Sequence, residues 1–118
     1  MADTEQFNFE KLEAYQVAKV ALVRVLAQRD ALRGLPGEIR MQLERAAVSA
    51  VANTAEGAGR QSRADQRGRY AIARAEANEA AAMIELAAIH GALDETEHQA
   101  LRSSYLRLTR MLTGLIRR

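Results

Sequence analysis

The sequence predicts an all-α protein, an antiparallel up-down-up-down four-helix bundle, and three observations predict it. The 118 residues include one proline and few aromatics (4%), alanine and glutamate recur throughout, and apolar residues return at helical spacing between capped or glycine-bearing junctions. Alanine loses no side-chain entropy in a helix and suits strands poorly, so this composition favours helix over sheet. A chain of this length builds one domain around a single core, expected over residues 9–118. Residues 1–8, acidic and without periodicity, are expected to be a flexible N-terminus.

The first helix is expected from about Phe9 to Ala31, with Asn8 as its cap and Leu12, Tyr15, Leu22, Val23 and Leu26 on one face. Arg33-Gly34-Leu35-Pro36-Gly37 ends it. The second helix runs from about Glu38 to Glu56, and Gly57 is expected in the left-handed C-terminal position that a Cβ would resist. Ser62-Arg63-Ala64-Asp65 announces the third helix as a capping-box variant, and Gly91 stops it. Asp94-Glu95-Thr96-Glu97 repeats the device for the fourth. Its stripe of Leu101, Tyr105, Leu108, Leu112 and Leu115 is a bundle seam.

The second and third helices each carry two apolar lines. Tyr70, Ala73, Ala77, Ala80, Ile84 and Ala87 fall on one side of the third helix, and Ala75, Ala82, Leu86, Ile89 and Leu93 on the other. Ile39, Leu43, Ala46 and Ala50 line one side of the second, with Met41, Val48, Ala52 and Ala55 opposite. Scattered exposed alanines are ordinary on a surface. The favoured alternative is a homo-oligomer interface at Val48, Ala52, Ala55, Ala75, Ala82, Leu86 and Ile89, closed by cyclic symmetry into a ring.

The formal net charge is only +2, but it is unevenly placed. Arg60, Arg63, Arg67, Arg69 and Arg74 face one acid, Asp65, around the start of the third helix. Arg102, Arg107, Arg110, Arg117 and Arg118 close the chain with no acid among them. An antiparallel bundle brings both groups to one pole. Arginine in the first turns of a helix opposes the macrodipole, so helix stability does not account for Arg63 and Arg67. The pole reads either as a solvated arginine face or as a surface for RNA or DNA, with Arg60, Arg63, Arg67, Arg69, Arg74, Arg110, Arg117 and Arg118 as phosphate contacts. Tyr70 is the sole aromatic within that patch, too few for a base-stacking platform, so such binding is expected to be electrostatic and salt-sensitive.

No chemistry stands out. Glu95 and His98 share an E-x-x-H spacing, but a di-iron bundle needs a second such pair, and the other histidine is His90. Gly57-Ala58-Gly59-Arg60 lacks the lysine and strand of a P-loop. Ser49 has no histidine near it in sequence. No catalytic residue, metal or cofactor is expected. With no cysteine, no basic-apolar leader and no continuous apolar run of about 20 residues, the protein is expected to be soluble, cytoplasmic and free of any membrane.

Arg45-Ala46-Ala47-Val48-Ser49, followed by Ala52-Asn53-Thr54-Ala55-Glu56-Gly57-Ala58-Gly59-Arg60, resembles the central motif of the four-helix-bundle family first recognised as products of 23S ribosomal RNA intervening sequences. Phe9-Glu10-Lys11-Leu12, and Ile72-Ala73-Arg74 with Glu79, extend the likeness over most of the chain. Val51 stands where the family usually has proline, and Glu76 where it usually has serine. The resemblance implies a homopentameric ring of antiparallel bundles without known enzymatic activity. A more distant likeness, to the accessory protein of diversity-generating retroelements, implies nucleic acid and a reverse transcriptase or other protein as partners. Carried over residue by residue, Asn53, Glu56, Gly57, Gly59 and Arg60 are motif positions. Read on their own chemistry, Asn53 suits a satisfied buried amide, and Glu56 suits a pair with Arg60 or a cap on turn amides. The expected function is therefore a non-enzymatic, homo-oligomeric, nucleic-acid-associated binding protein, with a protein-interaction scaffold as the alternative.

Overall fold

A computed structural model describes residues 5–118. The chain forms a 3-10 turn, Asn8–Lys11, and then the helices α1 (Glu13–Ala27), α2 (Arg29–Leu32), α3 (Gly37–Gly59), α4 (Arg63–Ile89) and α5 (Glu95–Arg117), with no strand among the described residues. Residues 1–4 of the expected flexible segment lie outside the described residues. Within them, Asn8 opens the 3-10 turn and its amide donates to the Ala58 carbonyl at 3.2 Å.

Two helix starts form as their residues dictate. The Ser62 hydroxyl accepts from the Asp65 amide at 3.1 Å, and the Asp94 carboxylate from the Glu97 amide at 2.8 Å, each satisfying a donor that the first turn leaves orphaned. Gly91 takes φ +78°, the left-handed conformation that ends α4.

One of the two apolar lines of α4 and the seam of α5 are buried. Tyr70, Ala73, Ala77, Ala80, Ile84 and Ala87 are the buried residues of α4, and Leu101, Tyr105, Leu108 and Leu112 those of α5, with Leu115 half-buried beside them. From α3 come Leu43, Ala46, Ala47, Ala50, Thr54 and Gly57. Small side chains dominate the α3–α4 seam, which lets the two backbones approach closely. The Tyr105 hydroxyl is enclosed without a hydrogen-bond partner among the described residues, and burial pushes its pKa well up, so it keeps its proton at ordinary pH.

The first helix departs from expectation in extent and register. It starts at Glu13 after Leu12 adopts an extended conformation, and it breaks at Gln28 before the single turn of α2. Asn8 is not its cap. The buried face is Ala14, Val17, Ala18, Ala21 and Val25. The expected face is displaced: Leu12, Tyr15, Leu22 and Leu26 are half-buried flanks, and Val23 is 59% exposed. Apolar residues encircle most of this helix, so periodicity alone did not select a side; the small residues face inward because α3 and α5 both crowd against them. The break at Gln28 lets Leu32 and Leu35 close the end of the core, at 0% and 5% exposure.

α3 also runs past its expected end at Glu56 to Gly59, and Gly57 is helical rather than left-handed. Its missing side chain serves packing. A Cβ built on Gly57 would stand 2.5 Å from Cε1 of Tyr70, so the glycine admits that ring against the α3 backbone.

Polar pairs record how neighbouring helices align. Glu13–Arg107 and Arg24–Glu97 join α1 to α5, Arg45–Glu79 and Arg69–Glu56 join α3 to α4, and Arg74–Thr113 and Glu85–His98 join α4 to α5. Asn8–Ala58 and Arg29–Glu44 bracket the contact of the N-terminal elements with α3. In every case residue numbers advance in opposite directions. Exposed pairs of this kind are worth at most about 1 kcal/mol each, so burial holds the molecule together. No helix among the described residues is long and apolar enough to cross a membrane.

Candidate nucleic-acid interface

The start of α4 and the end of α5 meet at one end of the molecule. Arg74, in the first half of α4, donates to the Thr113 hydroxyl of α5 at 3.1 Å. Burial raises the Tyr70 pKa, and the guanidinium groups of Arg118 and Arg63 partly offset that shift, so both cations act on one hydroxyl. Arg118 also lines a groove with Leu12, Glu13 and Ala14, which brings the start of α1 to the same end.

The eight arginines expected as phosphate contacts divide into two sets. Arg60 and Arg69 are clamped by the two oxygens of Glu56, at 3.1 and 3.3 Å, and Arg69 also donates to the Asn53 side-chain oxygen at 3.2 Å. Arg74 is half-buried on Thr113. Arg63, Arg67, Arg110, Arg117 and Arg118 are exposed and have no ion-pair partner among the described residues. Those five supply the uncompensated charge.

The motif residues form a structural network beneath this charge. The Asn53 amide donates to the Ser49 carbonyl and hydroxyl, both at 3.0 Å, while its oxygen accepts from Arg69. Arg60 ends α3 in an extended conformation, and its carbonyl accepts from the Gln66 side chain at 3.0 Å. Asn53, Glu56 and Arg60 thus fix the α3–α4 junction, and Gly57 seats Tyr70 within it. Gly59 has open space around its Cβ position.

Tyr70, expected as the one aromatic of the patch, is 6% exposed and engaged in that packing. Sequence reasoning missed a different ring. Phe7 is 70% exposed at this same end, because Asn8 ties the 3-10 turn to Ala58. Its only sequence signal was the F-x-F spacing ahead of the first helix, in a segment expected to be flexible.

The outer apolar line is exposed for most of its length. Val48, Leu86 and Ile89 stand 51%, 37% and 80% exposed, Ala52, Ala75 and Ala82 are exposed, and Ala55 is half-buried. Met41 at 69% and Ile72 at 45% extend it. Leu93, expected on that line, is instead buried in the core, because the chain turns inward after Gly91. His98 lies 2.7 Å from Glu85, while Glu95 accepts from Gln99, so the E-x-x-H pair does not converge. No cluster of three or more candidate metal ligands occurs among the described residues.

The model of the 23S rRNA-intervening sequence protein family matches residues 10–114. The chain belongs to that family. A solved structure of similar fold is that of a protein of unknown function from the S23 ribosomal protein family of Bacteroides thetaiotaomicron. The two share 23% identity over 89% of this chain and 99% of that one, with a TM-score of 0.81. No protein of curated function matches the chain.

Proposed function

We propose that this member of the intervening-sequence family is a non-enzymatic, up-down-up-down four-helix bundle that assembles into a homopentameric ring and binds nucleic acid, RNA foremost, in the cytoplasm. The observation that carries the binding role is the set of exposed, unpaired arginines at one end: Arg63, Arg67, Arg110, Arg117 and Arg118. Each phosphate neutralised releases condensed counterions, so binding weakens steeply with salt. A ring repeats the cationic end in every subunit and strengthens binding through avidity. The ring itself rests on the outer apolar line, which a lone bundle leaves in water.

Gel-shift titrations of RNA across a salt series test the binding role. Reversing Arg63 and Arg67 to glutamate is expected to weaken binding at least tenfold and to flatten the salt dependence by about two phosphate contacts. Absence of any shift at low ionic strength ends the proposal. Light scattering tests the ring: the wild type is expected as a closed oligomer at micromolar concentration, and Ile89→Asp, which puts a charge on the most exposed apolar residue of the line, is expected to release protomers. A wild-type monomer removes the ring.

The exposure of Met41, Val48 and Ile89 also favours a second reading, a scaffold for a protein partner such as a reverse transcriptase. Capture of one protein from nuclease-treated lysate, without RNA binding by the purified chain, would select it.

A further inference from the structure

The end that gathers the arginines also presents an aromatic ring in a fixed orientation. The Phe7 amide donates to the Glu10 carboxylate at 3.2 Å and its carbonyl accepts from the Glu10 amide at 3.0 Å, which pins the residue to the 3-10 turn. Its ring stacks on Phe9 with centroids 5.4 Å apart and planes 10° from parallel. Phe9 in turn meets the Tyr15 ring edge-on at 4.8 Å and 64°. The Lys19 ammonium lies 5.9 Å from the Tyr15 centroid. Phe7 is the outer member of a braced aromatic row.

A single exposed apolar side chain needs no explanation. Phe7 differs in two respects. It is the one exposed aromatic among the described residues, since Phe9 and Tyr15 are half-buried and Tyr70 and Tyr105 buried. It also shares its end of the molecule with cations that have no ion-pair partner among the described residues: Lys11 on the same turn, Arg63 at the start of α4, and Arg118, whose groove includes Leu12 just after that turn. Of the carboxylates near it in sequence, Glu5 and Glu10 line a groove with Phe7, Glu10 accepting from the Phe7 amide, and Glu13 pairs with Arg107.

A flat ring beside unpaired cations is the combination that holds unpaired bases, because every base offers a π-face while its phosphate meets the charge. Duplex nucleic acid hides those faces within its stack. We propose that Phe7 is a base-stacking platform, and that the ligand of the cationic end is single-stranded nucleic acid. This rests on the nucleic-acid reading above and narrows it to one class.

The chain contains no tryptophan, so Phe7→Trp installs a single fluorescent reporter at the platform. Its emission is expected to be quenched by a mixed-sequence single-stranded RNA or DNA oligonucleotide, at the concentration where the same strand shifts in a gel, and to change little with the matching duplex. Phe7→Ala is expected to weaken single-strand binding about five- to hundredfold with an unchanged salt dependence, because stacking releases no counterions. Strand retention in the gel without quenching, equal affinity in Phe7→Ala, or duplex bound as tightly as single strand overturns the platform and leaves the nucleic-acid reading standing. No retention of strand or duplex at low salt overturns both.

Discussion

Gly57→Ala is expected to destabilise the protein by about 2 kcal/mol and to lower its melting temperature by roughly 8 °C, although alanine is the better helix former. Within a helix, glycine to alanine ordinarily gains up to about 1 kcal/mol. Here the added carbon would stand 2.5 Å from Cε1, 2.7 Å from Cδ1 and 3.1 Å from Cζ of Tyr70, distances that require the ring to move. The ring is 6% exposed and cannot swing aside without opening the α3–α4 seam. Crowding therefore outweighs propensity. Denaturant unfolding of Gly57→Ala, Tyr70→Leu and the double variant checks this, with the two changes expected to couple by about 1–3 kcal/mol. A Gly57→Ala protein as stable as the wild type, or strictly additive changes, would contradict the packing role.

The double variant also separates two explanations for the same glycine. A left-handed helix end at Gly57, as the sequence suggested, would make alanine costly through backbone strain, and shrinking Tyr70 would not relieve that cost. The structure attributes the cost to the contact of Gly57 with the Tyr70 ring. That contact cannot be read from spacing along one helix, since the ring belongs to the next.

Other features show the same division between local and non-local information. Ser62, Asp94 and Gly91 act within a turn of their own position, and each plays the role its residue type implied. The two opposed apolar lines of α4 were legible in its spacing, but which of them faces the core was not, because both carry large apolar residues; the structure buries the line of Tyr70 and Ile84. The inner face of α1 was not legible either, because Leu, Val and Ala surround it and the choice of side belongs to its neighbours. At the cationic end, arginine clustering was visible in sequence, but which arginines are neutralised was not. Glu56 reaches Arg69 across the α3–α4 junction, a pairing set by the path of the chain. Phe7 joined the site through the packing of the 3-10 turn on α3, which includes the Asn8–Ala58 hydrogen bond, a contact between different helical elements.

Ala77→Leu and Ala75→Leu are expected to behave oppositely although they lie two positions apart on α4. About 200° of rotation separates them, which points Ala77 into the seam with α3 and Ala75 outward. Ala77 is 0% exposed, and Ala75 is exposed. Leucine at 77 must force apart helices that meet through alanine, at an expected cost of about 3 kcal/mol, a large share of the roughly 5–15 kcal/mol that holds such a domain folded. Leucine at 75 adds a good helix former to open surface, so the stability of the individual subunit is expected to change by less than about 0.5 kcal/mol. Its effect should fall instead on self-association, because close approach of neighbouring subunits through small residues leaves no room for the larger side chain. Thermal unfolding at low protein concentration, paired with light scattering at high concentration, distinguishes the two effects. Equal destabilisation by both substitutions would mean that α4 is covered on both sides within one subunit, leaving no outer apolar line for assembly.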